Sequence, residues 1–319
     1  MADHSLPILC GVDVSLATLD IALVDQPVTR IPNTVAGITD WQASLPGHAR
    51  IAVEATGRYH ELLLGLAVAA GHEVFLINGL QLNHYRQAVG QRAKTDPDDA
   101  RLLLRYLMHE QAELRPANPL NAKEKCLWSM LQQRATLVKA RSQVKQSLRG
   151  SSETEAIGQY VTTHLDQAIT QIEHRMTELA TELGWQASIR LCQTIPGVGP
   201  LSALALTACF HRGEFTRADQ WVAYMGLDVR VRDSGTCRGR RKLSKRGNPE
   251  LRRLLYNGAM SAAKMPSIRP RYEQYRERGM SSTEALVAMS RKLARIAFAV
   301  LSKGEAYDEK MPGWTCACP

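Results

Sequence analysis

Four carboxylates in the first hundred residues, Asp13, Glu54, Asp96 and Asp99, are the side chains best placed for chemistry. Asp13 ends the apolar run Pro7-Ile-Leu-Cys-Gly-Val-Asp13, and Glu54 ends Arg50-Ile-Ala-Val-Glu54. Asp96 and Asp99 lie in Lys94-Thr-Asp-Pro-Asp-Asp-Ala-Arg101. Hard Mg2+ prefers carboxylate oxygen and keeps several waters, so this set, which contains no His or Cys, suits two Mg2+ ions per site. Two such ions about 4 Å apart answer both obstacles to breaking a phosphodiester, activating the attacking oxygen and stabilising the departing one. If the four converge, the chain processes nucleic-acid strands.

A second candidate is Ser234, in Arg232-Asp-Ser-Gly-Thr-Cys-Arg-Gly239. The surrounding arginines could lower the cost of an alkoxide or bind a phosphate, which makes the serine a candidate nucleophile. Ser-Gly is also among the commonest turn dipeptides, and a solvated turn in a nucleic-acid-binding loop is the competing reading. The segment from 228 to 254 is strongly basic: Arg230, Arg232, Arg238, Arg240, Arg241, Lys242, Lys245, Arg246, Arg252 and Arg253 face only Asp228, Asp233 and Glu250.

Hydrophobic periodicity supplies the elements that must position these groups. Strands at 6–13 and 18–25 read as a hairpin around Val14-Ser-Leu-Ala-Thr18, followed by a helix near 34–45 capped by Asn33 or Thr34. A strand at 50–54, a helix from Tyr59 to Ala70 stopped by Gly71, a strand at 73–77 and a helix near 79–90 complete a three-layer α/β pattern with a mixed sheet. Such an RNase H-like order would bring the strand-end carboxylates to one sheet edge. Thr95 can cap a helix starting at Asp96, with Pro97 in its first turn, and Asp96 and Asp99 then share a face. First-turn acids also complement the helix dipole, and Asp98 is read that way.

From about 120 to 184 the pattern is helical throughout. A first long helix near 121–149 precedes a seam of Val161, Leu165, Ile169, Ile172, Met176, Leu179 and Leu183 at alternating three and four spacings. An intramolecular hairpin and a dimerisation arm both fit that seam. The division expected is therefore 1–115 α/β, 116–186 long helical or coiled-coil hairpin, and 187–319 mostly α-helical, with helices near 216–225, 249–263 and 282–303. In the last part Ile195-Pro-Gly-Val-Gly199 separates two apolar helices, like a helix-hairpin-helix whose Pro196, Gly197 and Gly199 let backbone N–H groups approach a phosphate. The same turn also serves as an inert connection.

Composition sets the outer bounds. The chain has 319 residues, a formal charge of +9 and 45% hydrophobic residues, enough for two ordinary cores and a polyanionic partner. No apolar stretch approaches the roughly 20 residues that span a bilayer, and residues 1–10 do not resemble a signal peptide, so no membrane partner and a cytoplasmic location are expected. Seven scattered cysteines suit reduced thiols, and Cys316 and Cys318 lack the further ligands a zinc site needs.

Taken in order, Gly11-Val-Asp-Val-Ser15, Val53-Glu-Ala-Thr-Gly57, Lys94 to Arg101, Ile195 to Gly199, and Ser244-Lys-Arg-Gly247 with Leu251-Arg-Arg-Leu-Leu-Tyr256 resemble the DEDD-type insertion-sequence transposases related to the Piv DNA invertase. That family includes the bridge-RNA-guided recombinases. The C-terminal Arg291-Lys-Leu-Ala294 and Lys303 to Asp308 also resemble its ending, so the likeness spans nearly the whole chain. The resemblance implies a RuvC-like N-terminal domain with Asp13, Glu54, Asp96 and Asp99 as Mg2+ ligands, and a helical C-terminal transposase domain. It implies that Ser234 forms a covalent 5′-phosphoserine, conserving the phosphodiester energy for strand exchange. It further implies double-stranded donor and target DNA, a guide RNA, and a homodimer or tetramer whose long helices touch and whose site is completed between subunits.

This chain departs from the family in having Gly226-Leu-Asp-Val229 where Gly-Leu-x-Pro is common, and in a loop after Ser234 that is one residue shorter than in some relatives. Competing readings are a RuvC-like junction nuclease using activated water, an actin-like sugar kinase beginning at Gly11-Val-Asp-Val-Ser15, and a non-catalytic nucleic-acid-binding protein.

Overall fold

The computed structural model describes residues 7–55, 57–91, 95–150, 152–213, 215–230, 233–234, 237–238 and 241–308, with the backbone alone at 152, 233, 234, 237 and 238. Lys94, Arg232, Arg240, Cys316, Cys318 and the side chains of Ser234 and Arg238 lie outside the described residues. The chain divides into two compact units between Pro119 and Leu120.

The first unit is built on one mixed sheet. Strands β1 (Ile8–Val14), β2 (Thr18–Leu23) and β3 (Thr29–Pro32) form an antiparallel meander, and helix α1 (Val35–Ala43) leads to β4 (Ala49–Glu54). Helix α2 (Glu61–Ala69), β5 (Glu73–Ile77), α3 (Gly79–Ala88) and α4 (Asp96–Glu110) follow. The strand order is β3-β2-β1-β4-β5, with β1, β4 and β5 parallel. The period of two sorts the strands onto two faces. Cys10, Val12, Leu19, Ile21, Ile51 and Val53 pack on Ile38 and Trp41 of α1 and on Leu63, Leu64 and Ala67 of α2. Ala52, Phe75 and Ile77 pack on Leu82 of α3 and on Leu102, Leu103, Tyr106 and Leu107 of α4.

Thr34 is the cap of α1, accepting from the Gly37 N–H at 3.2 Å. Asn33 instead donates to the Ser15 and Tyr59 carbonyls, tying together the loops that follow β1 and β4.

Among the described residues the second unit is helical apart from four two-residue strands between 229 and 243. Helices α5 (Ala122–Ser147) and α6 (Ser152–Glu182) run antiparallel, joined by Lys123–Glu182 at 3.0 Å, Arg134–Glu173 at 2.5 Å and Arg141–Asp166. A capping box between Asn121 and Glu124 starts α5. Ile169, Met176 and Leu179 of the expected seam are buried, while Ile157 and Tyr160 near the far end are exposed. Leu127, Leu131, Met176, Leu179 and Ala180 share one core with α7 (Gln186–Gln193), α8 (Pro200–Phe210), α9 (Ala218–Tyr224), α10 (Pro249–Ala262) and α12 (Ser282–Lys303), which follows α11 (Arg269–Glu277). Trp221 is wholly buried in it.

Burial pushes the Cys10, Cys192 and Cys209 thiols up to about 12, so these three stay protonated near neutral pH. Among the described residues no helix is long and apolar enough to cross a membrane.

Candidate active site

Strand register puts Asp13 and Glu54 on the face covered by α4. Gly11 pairs with Ala52 across β1 and β4, and Asp13 and Glu54 each lie two residues further on, so both carboxylates share the Ala52 face. Gly11 is where α4 crosses: a Cβ there would collide with the Ala100 carbonyl and the Leu104 amide. In the turn that ends at Ala100, α4 carries Asp96, one turn back, and Asp99, the residue just before it. Gly79, at the start of α3, likewise leaves the space that the Glu54 carboxylate occupies.

Asp13 feels the other three carboxylates. The Asp13 carboxyl is pushed up from 3.8 to about 6, chiefly by burial and then by the charges of Asp99, Asp96 and Glu54, against a lowering hydrogen bond from the Val14 backbone. Asp98 is engaged elsewhere: the Thr95 hydroxyl donates to it at 2.6 Å and Arg101 lies 3.6 Å away. Thr95 is the N-cap of α4 by position only, since its hydroxyl makes no bond to the backbone of the first turn.

Three residues at this edge escaped the sequence reading. Asp20 sits directly opposite Asp13 in the β1–β2 register and is buried, with Arg30 of β3 gripping it through two 3.0 Å bonds. Arg30 also lies 3.6 Å from Asp96. Arg86 of α3 donates to Asp99 at 2.6 Å, and both side chains are about nine-tenths buried. A charged Asp20 inside the apolar strand Thr18–Leu23 was the available signal, because a buried carboxylate must find a partner.

Among the described residues no group of three carboxylate, His or Cys side chains is drawn together tightly enough to hold an ion as it stands. The donor chemistry nevertheless fits a hard divalent cation. All four donors are carboxylates, and their mutual repulsion at a part-buried Asp13 is what a cation would relieve.

In the second unit, the Pro196 to Gly199 turn joins α7 to α8. Gly197 has φ +85° and meets α10, where a Cβ would collide with the Gly258 carbonyl and Ala262. Its glycine is thus required by helix packing. Gly199 caps α8 with open space around it.

Ser234 lies on an arm between α9 and α10. At its base Gly247 packs on the Tyr224 and Met225 backbone, the Ser244 hydroxyl donates to the Asp228 carboxylate, and the Ser244 N–H donates to the Asp228 carbonyl at 2.9 Å. Strand β6 (Val229–Arg230) then pairs with β9 (Lys242–Leu243), and β7 (Asp233–Ser234) with β8 (Cys237–Arg238). Ser234 pairs with Cys237 in the β7–β8 register. Arg230, Arg241, Lys242, Lys245 and Arg246 are exposed along this arm. Arg252 and Arg253 are committed within the protein: Arg252 donates to the Gly247 carbonyl at 2.6 Å and the Met225 carbonyl at 3.2 Å, and Arg253 forks onto buried Glu250 with two 2.6 Å bonds.

Comparison with known proteins defines the class. Residues 10–151 match the DEDD-type IS110 transposase family and residues 189–274 match the transposase IS116/IS110/IS902 family. The chain belongs to this IS110-type transposase family, enzymes of DNA strand cleavage and transfer. Among individual relatives, it is 27% identical to the pilin gene-inverting protein of Moraxella lacunata, over 94% of this chain and 98% of that protein. The pilin gene-inverting protein of Moraxella bovis matches to the same extent. The transposase for insertion sequence element IS1111A of Coxiella burnetii is 32% identical over 44% of this chain and 40% of its own length.

Proposed function

We propose that this transposase cleaves and rejoins DNA through a 5′-phosphoserine at Ser234, assisted by Mg2+ held by Asp13, Glu54, Asp96 and Asp99 in an RNase H-like, RuvC-like first domain. The observation that carries the proposal is the convergence of the four carboxylates: Asp13 and Glu54 share the sheet face that α4 crosses at Gly11, and α4 carries Asp96 and Asp99 beside that crossing. The strand order β3-β2-β1-β4-β5, with carboxylates at the ends of β1 and β4, supports the fold assignment.

Mg2+, when bound, offsets the charge of the phosphate and lowers the cost of an attacking oxygen anion. The remaining work falls to the chain. Asp13 and Glu54, on rigid strands, and Asp99, on a buried helix turn, fix where charge is received, as preorganised sites require. The Ser234 oxygen attacks the scissile phosphorus as the bond from phosphorus to the 3′ oxygen breaks. The serine proton passes to solvent and solvent protonates the departing oxygen, which leaves as a 3′ hydroxyl, while a covalent serine ester of the 5′ phosphate is retained. A new 3′ hydroxyl then displaces serine, losing its proton as the Ser234 oxygen regains one, so one phosphodiester is exchanged for another and no external energy is consumed. The relatives named as pilin gene-inverting proteins favour this strand-exchange chemistry.

Lys242, Lys245, Arg230 and Arg246 are assigned to DNA or guide-RNA phosphates, and the open start of α8 at Gly199 to a backbone phosphate. Arg252 and Arg253 serve the same surface as its framework. The α5–α6 pair, with exposed Ile157 and Tyr160, is assigned to subunit contact in a dimer or tetramer.

A second reading is favoured by the IS110 DEDD match to residues 10–151, which holds all four carboxylates without Ser234: a junction nuclease using activated water. Cleavage assays with Mg2+ separate the two. The serine reading expects Ser234→Ala and Asp13→Asn each to lower cleavage by at least about a thousandfold, as losing a nucleophile does in comparable enzymes. Undiminished cleavage by S234A would sink it.

A further inference from the structure

We propose that Arg86 competes with a divalent cation for Asp99, so that ion binding is an exchange against a charge the protein itself supplies. The inference rests on the metal reading above and adds a residue that the four-carboxylate pattern does not contain.

Arg86 reaches Asp99 from α3 at 2.6 Å, and both groups are almost wholly buried. The Arg86 Nε is also buried and has no hydrogen-bond partner. A guanidinium placed for structure alone tends to fill its donors, whereas here one donor stays unsatisfied and the positive charge beside Asp99 is what is gained. At the other end of the cluster Arg30 makes a looser, solvent-exposed counterpart. It is held by Asp20 through two 3.0 Å bonds and lies 3.6 Å from Asp96. Two of the four carboxylates therefore have an arginine beside them, each delivered by a neighbouring element. Leaving the buried Asp99 charge without such a partner would destabilise the first unit. Arg86 is thus a positioning residue: it keeps Asp99 and α4 in place until an ion arrives, and it weakens the hold on that ion.

An inert salt bridge and a competing charge differ in what a divalent ion does to the variant. The full-length protein, free of DNA, is titrated with MgCl2 by calorimetry and melted in EDTA and in MgCl2. Arg86→Gln is expected to melt lower than wild type in EDTA, to show a larger rise on adding Mg2+, and to bind Mg2+ at least about fivefold tighter, the usual range for coupled sites. Arg86→Lys keeps the charge and should stay within about twofold of wild type. An R86Q protein that is destabilised yet binds Mg2+ no tighter would overturn the proposal. If R86Q does not fold, Arg30→Gln decides, with tighter Mg2+ binding expected and unchanged binding contradicting the proposal. Asp13→Asn serves as the control that loses binding. Absence of Mg2+ binding by wild type would overturn the metal reading and this inference together, whereas binding that R86Q leaves unchanged overturns this inference alone.

Discussion

Asp13 bears most of the electrostatic strain at the site. Its carboxyl is raised above the unfolded value, so the ion-free folded state holds the proton more tightly. The resulting stability is full below about pH 4 and is lost as pH rises through about 6. In EDTA, Asp13→Asn should therefore gain on wild type between pH 4 and pH 7. After discounting for the solvent that reaches this half-exposed group, the gain is about 1 kcal/mol. Urea unfolding of both proteins at the two pH values measures it, and a gap that narrows with pH would contradict the charge crowding. At this scale the sequence was informative where a residue type is itself the signal: Asp13 and Glu54 stand out as acids closing apolar runs. Arg86 gave no such signal, because its partner Asp99 is 13 residues away on another helix and only the fold joins them.

Elements were legible in proportion to their periodicity and caps. Helix α12 announces itself with the Ser281–Glu284 capping box and a left-handed Gly304 at its end. Strand β3 was expected without a position, since Thr-Arg-Ile-Pro is short, mostly exposed and ends in a proline suited to a sheet edge. Helix α11 went unread because it buries no residue fully and touches the core mainly through Tyr272 and Tyr275. The two-residue strands of the Ser234 arm are too brief for any period to register. The Pro-Gly-Val-Gly turn was read as one unit, either phosphate-gripping or an inert connection, and its two glycines now have different tasks. Gly197→Ala combines a left-handed backbone with a collision against α10 and should cost about 2–4 kcal/mol. Gly199→Ala, with open space around it and an ordinary extended φ of −84°, should cost no more than about 1 kcal/mol. Equal costs by chemical denaturation would refute the packing role.

At the scale of the molecule, the carboxylates and Ser234 fall in separate compact units, which is why neither pattern alone specifies the reaction. The acidic edge repels a polyanion, and the basic arm of the second unit supplies the opposite charge. DNA binding should accordingly weaken steeply with salt, and Lys242→Ala together with Lys245→Ala should reduce the slope of log affinity against log salt by about 2. A fluorescence-anisotropy titration of duplex DNA at several KCl concentrations reads this directly. The central claim, that a protein oxygen rather than water attacks the phosphodiester, is tested most directly by trapping the intermediate. In cells carrying the coding sequence with its flanking DNA on a plasmid, denatured protein is recovered, digested with nuclease and examined by mass spectrometry. The account predicts a nucleotide linked through its 5′ phosphate to Ser234 in wild type, absent from both Ser234→Ala and Asp13→Asn. DNA cleavage without any adduct, persisting in Ser234→Ala, would contradict it.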